Sequence, residues 1–158
     1  MYHPRSVRSA LPPTRRRVLA SGAGLAAWIA LRPATAATGD LAAAVAAFAG
    51  GGTVRIGKVK LNIAELVDNG NVVPLTVTVD SPMTAGDHVK AIAVFNEKNP
   101  QRDVAKFTLG PRSGKASVTT RIRLATTQKL VAVAQLSDGS FWSHTVDVIV
   151  TLAACIES

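Results

Sequence analysis

The chain has 158 residues, with 18 lysines and arginines against 10 aspartates and glutamates. Six of the arginines (Arg5, Arg8, Arg15, Arg16, Arg17 and Arg32) fall within residues 1–36, which hold no acid, so residues 37–158 carry 12 basic and 10 acidic side chains. A net charge of +2 over that stretch removes the support that the overall pI of 10.4 gives to nucleic-acid binding, and a single cysteine excludes an internal disulfide.

Residues 1–36 read as an export signal rather than as fold. Thr14-Arg15-Arg16-Arg17-Val18-Leu19-Ala20 follows the twin-arginine pattern, with Val18 and Ala20 in place of the usual Phe and Lys. An apolar stretch from Gly22 to Leu31 and the small-x-small site Ala34-Thr35-Ala36 complete it. The stretch is shorter than the ~20 residues a membrane span needs, so cleavage after Ala36, a periplasmic location and no membrane attachment after cleavage are expected. The twin-arginine route carries folded proteins. With no cofactor motif in the chain, a partner that folds with it is the expected reason for that route.

Residues 37–152 are expected to form one domain. Asp40 to Phe48 is rich in Leu, Ala and Val and is stopped by Gly50-Gly51-Gly52, which predicts a short helix with a glycine cap and Asp40 as N-cap. Seven runs rich in β-branched residues follow: Val54 to Ile63, Val72 to Asp80, His88 to Phe95, Asp103 to Leu109, Ala116 to Leu124, Lys129 to Leu136 and Phe141 to Leu152. Several alternate strictly, as strands with one face on a core do. Asp68-Asn69-Gly70-Asn71, Asn99-Pro100, Gly110-Pro111 and Ser113-Gly114 supply turns between them, and Ser137-Asp138-Gly139-Ser140 predicts a tight hairpin. About seven strands with regular turns predict an all-β, immunoglobulin-like antiparallel sandwich with a short N-terminal helix.

The inventory for chemistry is short. His88 and His144 are the only histidines past the signal, and neither can be set beside a serine and an orienting group from sequence. A blue-copper site needs histidine and methionine close after its cysteine, and only Ile156-Glu157-Ser158 follow Cys155; zinc spacings are absent too. No cofactor and no metal are therefore expected. Cys155 remains, and a free cysteine can be a small buried hydrophobe or the point of an intermolecular disulfide. Its place three residues from the end favours an exposed thiol on residues 153–158, a segment made of Ala153, Ala154, Cys155, Ile156, Glu157 and Ser158. If the last strand ends near Leu152, residues 153–155 extend by about 10 Å, far enough to offer the thiol to another protein. Glu157 and a terminal carboxylate beside the thiol disfavour the thiolate, so activation would fall to a partner.

The chain resembles the SoxY family of sulfur carriers along nearly its whole length. The carriers of the resemblance, in order, are the arginine signal, Asn69-Gly70-Asn71-Val72-Val73-Pro74-Leu75-Thr76-Val77, Val79-Asp80-Ser81-Pro82-Met83-Thr84, Val89-Lys90-Ala91-Ile92, Asn99-Pro100, Pro111-Arg112-Ser113-Gly114, Val118-Thr119-Thr120-Arg121-Ile122-Arg123-Leu124 and Ser137-Asp138-Gly139-Ser140-Phe141-Trp142. The resemblance implies a carrier without catalysis of its own, paired as a heterodimer with a SoxZ-like subunit. A c-type cytochrome enzyme, a sulfate-releasing hydrolase and a sulfur dehydrogenase would visit it in turn during thiosulfate oxidation, with the substrate held covalently on Cys155. The family's familiar tail is Gly-Gly-Cys-Gly-Gly; here Ala153-Ala154-Cys155-Ile156-Glu157-Ser158 keeps the cysteine and none of the glycines. A carrier of another cargo stays open on that ground. So does an immunoglobulin-like periplasmic adaptor with an incidental cysteine.

Arg112, Lys115, Arg121 and Arg123 could attract an anionic conjugate or an acidic partner. Alternation puts Arg121 and Arg123 on one side of a strand, where a solvated face is the simpler expectation.

Overall fold

The computed structural model describes residues 41–154. The expected export signal, Asp40, and Cys155, Ile156, Glu157 and Ser158 lie outside those residues.

A helix, α1 (Leu41–Phe48), opens the described chain. Its C-terminal carbonyls are met by the amides of Gly50 and Gly51, which donate to Ala47 and Ala46 at 3.2 Å each. Both glycines have positive φ, 57° and 82°, the left-handed backbone that a helix stop of this kind requires.

Nine strands follow: β1 (Val54–Ile56), β2 (Val59–Asn62), β3 (Leu66–Val67), β4 (Val73–Val79), β5 (Val89–Asn96), β6 (Asp103–Thr108), β7 (Ser117–Ile122), β8 (Gln128–Leu136) and β9 (Phe141–Val150). One sheet has the order β1-β9-β8-β5-β6, with β3 also on β9; the other is β2-β4-β7. Two β-sheets face each other, as the alternating runs predict.

Three details differ from the sequence expectation. The run Val54 to Ile63 is two strands, because the chain changes sheets at Gly57-Lys58, where φ is 123° and 53°. β3 is an additional strand of two residues. The sandwich is also not wholly antiparallel: β1 and β3 both lie parallel to β9, pairing Val54 with Phe141 and Leu66 with Ile149.

The main core lies between the sheets. It holds Leu75, Val77, Ile92, Val94, Leu124, Leu130 and Leu136, all buried. A smaller core lies on the outer face of the larger sheet, where Ala93, Phe95, Val131, Val133 and Phe141 are covered by Leu41, Val45 and Phe48. Phe48 meets Phe95 and Phe141 edge-on, at ring-centre distances of 5.8 and 6.0 Å. The double duty of β5 and β8 explains why they are buried nearly throughout.

The Asp138-Gly139 turn closes the β8–β9 hairpin as expected. Gly139 has φ 83°, and the Ser140 amide and hydroxyl both donate to Asp138 Oδ1, at 2.8 and 2.7 Å.

Candidate functional site

The site of interest is the segment that leads to Cys155. At the end of β9 the chain runs beside β3, where the Thr151 amide donates to the Val67 carbonyl at 3.0 Å and its hydroxyl to the Asp68 carbonyl at 3.1 Å. Beyond it the chain stays on the sandwich. The Gly70 amide donates to the Leu152 carbonyl at 2.8 Å, the Leu124 amide to the Gly70 carbonyl at 2.8 Å, and the Ala154 amide to the Leu124 carbonyl at 3.1 Å. Gly70 and Leu124 thus form a backbone socket that residues 152–154 complete, and Ala154 is only 7% exposed.

The sequence explains the socket. Asn69 bends the chain by accepting the Asn71 amide on its side-chain oxygen at 2.9 Å, a turn that asparagine makes readily. Gly70 is required by closeness: a β-carbon there would stand 2.3 Å from the Leu124 carbonyl oxygen and 3.0 Å from the Ala154 nitrogen. Asn99 holds Leu124 from both sides, donating to the Arg123 carbonyl at 2.8 Å and accepting the Ala125 amide at 3.0 Å. The buried Gln128 fixes Asn99 in turn, donating to its side-chain oxygen at 2.7 Å while accepting the Lys98 amide at 2.8 Å.

Of the expected arm, Ala153 is exposed, whereas Ala154 is buried and bonded. Within the described residues the segment is docked, and Cys155 follows one peptide step, ~3.8 Å between α-carbons, beyond this anchor. Sequence reading did not find Gly70, Leu124, Asn99 or Gln128 as parts of the site. The Asn-Gly-Asn and Asn-Pro turns were the available signals.

The two histidines are apart in the fold. His144, within β9, accepts the Leu61 amide on Nδ1 at 3.2 Å and so serves a structural contact between the sheets. His88 stands just before β5, with its amide on Ser137 Oγ at 3.1 Å. Among the described residues no group of three or more His, Cys, Asp or Glu side chains could hold a metal. Arg112, Lys115, Arg121 and Arg123 are all exposed.

The family model described as sulfur oxidation protein SoxY matches residues 45–155. The chain belongs to the SoxY family. A solved structure of the sulfur carrier protein SoxY from Chlorobium limicola f thiosulfatophilum is similar at 28% identity and a TM-score of 0.60, covering 72% of this chain and 93% of that one. The match places the chain among sulfur-oxidation proteins, and that solved SoxY is a sulfur carrier protein. Superoxide reductase (neelaredoxin) from Ignicoccus hospitalis is similar at 18% identity, covering 60% of this chain and 80% of that one, with a TM-score of 0.53. The superoxide reductase from Nanoarchaeum equitans follows at 11% identity and 0.52, covering 61% of this chain and 100% of that one. These two likenesses show the sandwich fold alone. No curated protein matches the chain significantly.

Proposed function

We propose that this SoxY-family chain is a periplasmic carrier that holds thiosulfate-derived sulfur covalently on Cys155 and presents it to the enzymes of thiosulfate oxidation. The observation that carries the reading is the family match, which runs through the domain and ends on Cys155. The docked root of the segment is consistent with it, because Gly70 and Leu124 hold Leu152 and Ala154, the residues that lead to Cys155.

The chemistry requires little of the carrier. The Cys155 thiolate and thiosulfate join through a new S–S bond, and two electrons leave to a c-type cytochrome enzyme, giving a cysteine S-thiosulfonate. Hydrolysis by a second enzyme breaks the terminal S–S bond, adds the oxygen of water to the sulfonate and releases sulfate and two protons. A persulfide stays on Cys155 for a sulfur dehydrogenase and a further hydrolysis to clear. The carrier's own part is to hold the sulfur and to offer it. A SoxZ-like subunit is the stable partner in this reading, and residues 1–36 direct export by the twin-arginine route.

Intact-mass measurement of the mature chain, purified with its natural partner and without reductant, tests the carrier reading. The expected result is a gain of one sulfur atom or of thiosulfate, lost on reduction and absent in Cys155→Ser, whose fold is unchanged. A bare mass after incubation with thiosulfate and the periplasmic fraction would turn the reading to an adaptor or to another cargo. Fusion of residues 1–36 to a reporter in a strain without twin-arginine transport tests the route, and undiminished export refutes it.

A further inference from the structure

The outer face of the β2-β4-β7 sheet is rich in hydroxyls. Lys60, Thr78 and Ser117 are register neighbours across it, and Thr76 and Thr119 share a hydrogen bond at 2.9 Å. Lys58, Lys60 and Lys115 line a cleft of about 650 Å3 at one end of this face, with Asp80 their only acidic companion among the lining residues. Arg121 and Arg123 continue the same side of β7 toward the other end, where Arg121 pairs with Pro74.

Charge is therefore unevenly placed. Residues 41–154 contain 12 basic and eight acidic side chains. Five of the basic ones (Lys58, Lys60, Lys115, Arg121 and Arg123) stand on this face or at its rim, against Asp80 in the cleft and Asp138 beside Lys58. The other seven basic and six acidic side chains come close to cancelling. Lys58 marks a corner of the face, 5.3 Å from the centre of the Trp142 ring and within the field of Asp138. The two ion pairs among the described residues, Glu97–Lys98 and Asp147–Lys129, lie elsewhere.

The face also points to the functional segment. β4 runs from the cleft at Val79 back to Val73, about 20 Å at ~3.4 Å per residue, and the turn just before Val73 carries Gly70 of the socket. Leu124 of the socket follows Arg123 directly. None of the large exposed hydrophobics (Ile56, Leu66, Val72, Ile149 and Leu152) is on the strands of this face. A permanent subunit buries an apolar centre, and a membrane surface needs apolar groups to insert. A basic, hydroxyl-rich face without them suits a brief, electrostatically steered encounter.

We propose that this face is the docking surface for an enzyme of acidic surface that acts on Cys155. The inference rests on the carrier reading and names the kind of partner surface that reading needs. A carrier that visits several enzymes gains from contacts that form fast and release fast, and long-range attraction supplies the first of these.

The test uses the mature chain with its natural partner, loaded chemically on Cys155 with tetrathionate. The thiolate forms an S–S bond to one half of tetrathionate and expels the other half as thiosulfate, so no enzyme is needed for loading. The probe is the organism's own hydrolase that releases sulfate from cysteine S-thiosulfonate. The triple variant K60E/K115E/R121E is compared with K90E/K98E/K129E, which makes the same charge change off the face. The expected result is a fall in kcat/KM of about tenfold or more for the first triple at low salt, with kcat unchanged and little effect in the second. The wild-type rate should fall with added salt, and K60Q/K115Q/R121Q should lie between wild type and the glutamate triple. Equal rates for the two glutamate triples overturn the docking surface and leave the carrier reading standing. A loaded wild-type chain that the hydrolase does not process overturns the carrier reading, and this inference falls with it. Retention of wild type on phosphatidylglycerol vesicles, lost in the first triple while hydrolysis is unchanged, overturns it in favour of a membrane surface.

Discussion

Gly70 is set by distance rather than by torsion. A β-carbon would press on the Leu124 carbonyl oxygen and on the Ala154 amide at once, and both are backbone atoms that cannot swing away. Gly70→Ala should therefore cost about 2 kcal/mol, within the usual range for a packing clash, and should loosen the docked segment. Urea unfolding and amide exchange at Ala154 check it; wild-type protection at Ala154 would show that the socket yields. Asp138 carries a second prediction. The Ser140 hydroxyl and amide hold its carboxyl below the ordinary value of 3.8, with Lys58 adding to the effect. The folded pKa lies below the unfolded one, so the contribution is complete above the ordinary value and is lost as pH falls through the lowered one. Asp138→Asn should be less stable than wild type at neutral pH, and the gap should narrow below pH 3.8. A gap that is constant with pH in urea midpoints would count against this. Both turns were legible in the sequence as Asn-Gly-Asn and Asp-Gly. That one of them is also a socket was not, because Leu124 and Ala154 are far from Gly70 along the chain.

At the level of elements, helix α1 is anchored by Phe48, with Leu41 and Val45 beside it. None of its residues is fully buried, and Phe48 is the side chain that reaches both Phe95 and Phe141. Phe48→Ala should cost about 2 kcal/mol, less than a fully buried phenylalanine would. It should raise exchange in Leu41–Phe48 while β5 and β8 stay protected; equal loss of protection across the sheet would mean that the helix and the sheet open together. The helix was legible from its composition and its glycine stop. So were β4 to β9, with their ends shifted by a few residues, because alternation and turn residues are local signals. The break at Gly57-Lys58 was carried only by the glycine inside an otherwise continuous run. β3 and the parallel pairing of β1 with β9 left no local trace, since a strand partner is chosen by the rest of the chain. The charge of β7 was visible as Arg121 and Arg123, but Lys58 and Lys60 join them only through the pairing of β2 with β4 and β4 with β7.

For the molecule as a whole, the position of residues 152–154, which lead to Cys155, is tied to the core between the sheets. Leu124 is fully buried in that core, while its backbone holds both Gly70 and Ala154. A change that lets its side chain move also moves the socket. Val133 is equally buried but belongs to the smaller core under α1. Leu124→Ala should cost about 3 kcal/mol, a large share of the ~5–15 kcal/mol that keeps a domain folded. It should also release Ala154, seen as faster amide exchange under native conditions. Val133→Ala should lower the urea midpoint less, and it should leave Ala154 as protected as in wild type. Equal release of Ala154 by both variants would mean that the segment follows global stability, with no particular tie to Leu124. Release by Leu124→Ala alone would locate the control of this segment in the inter-sheet core.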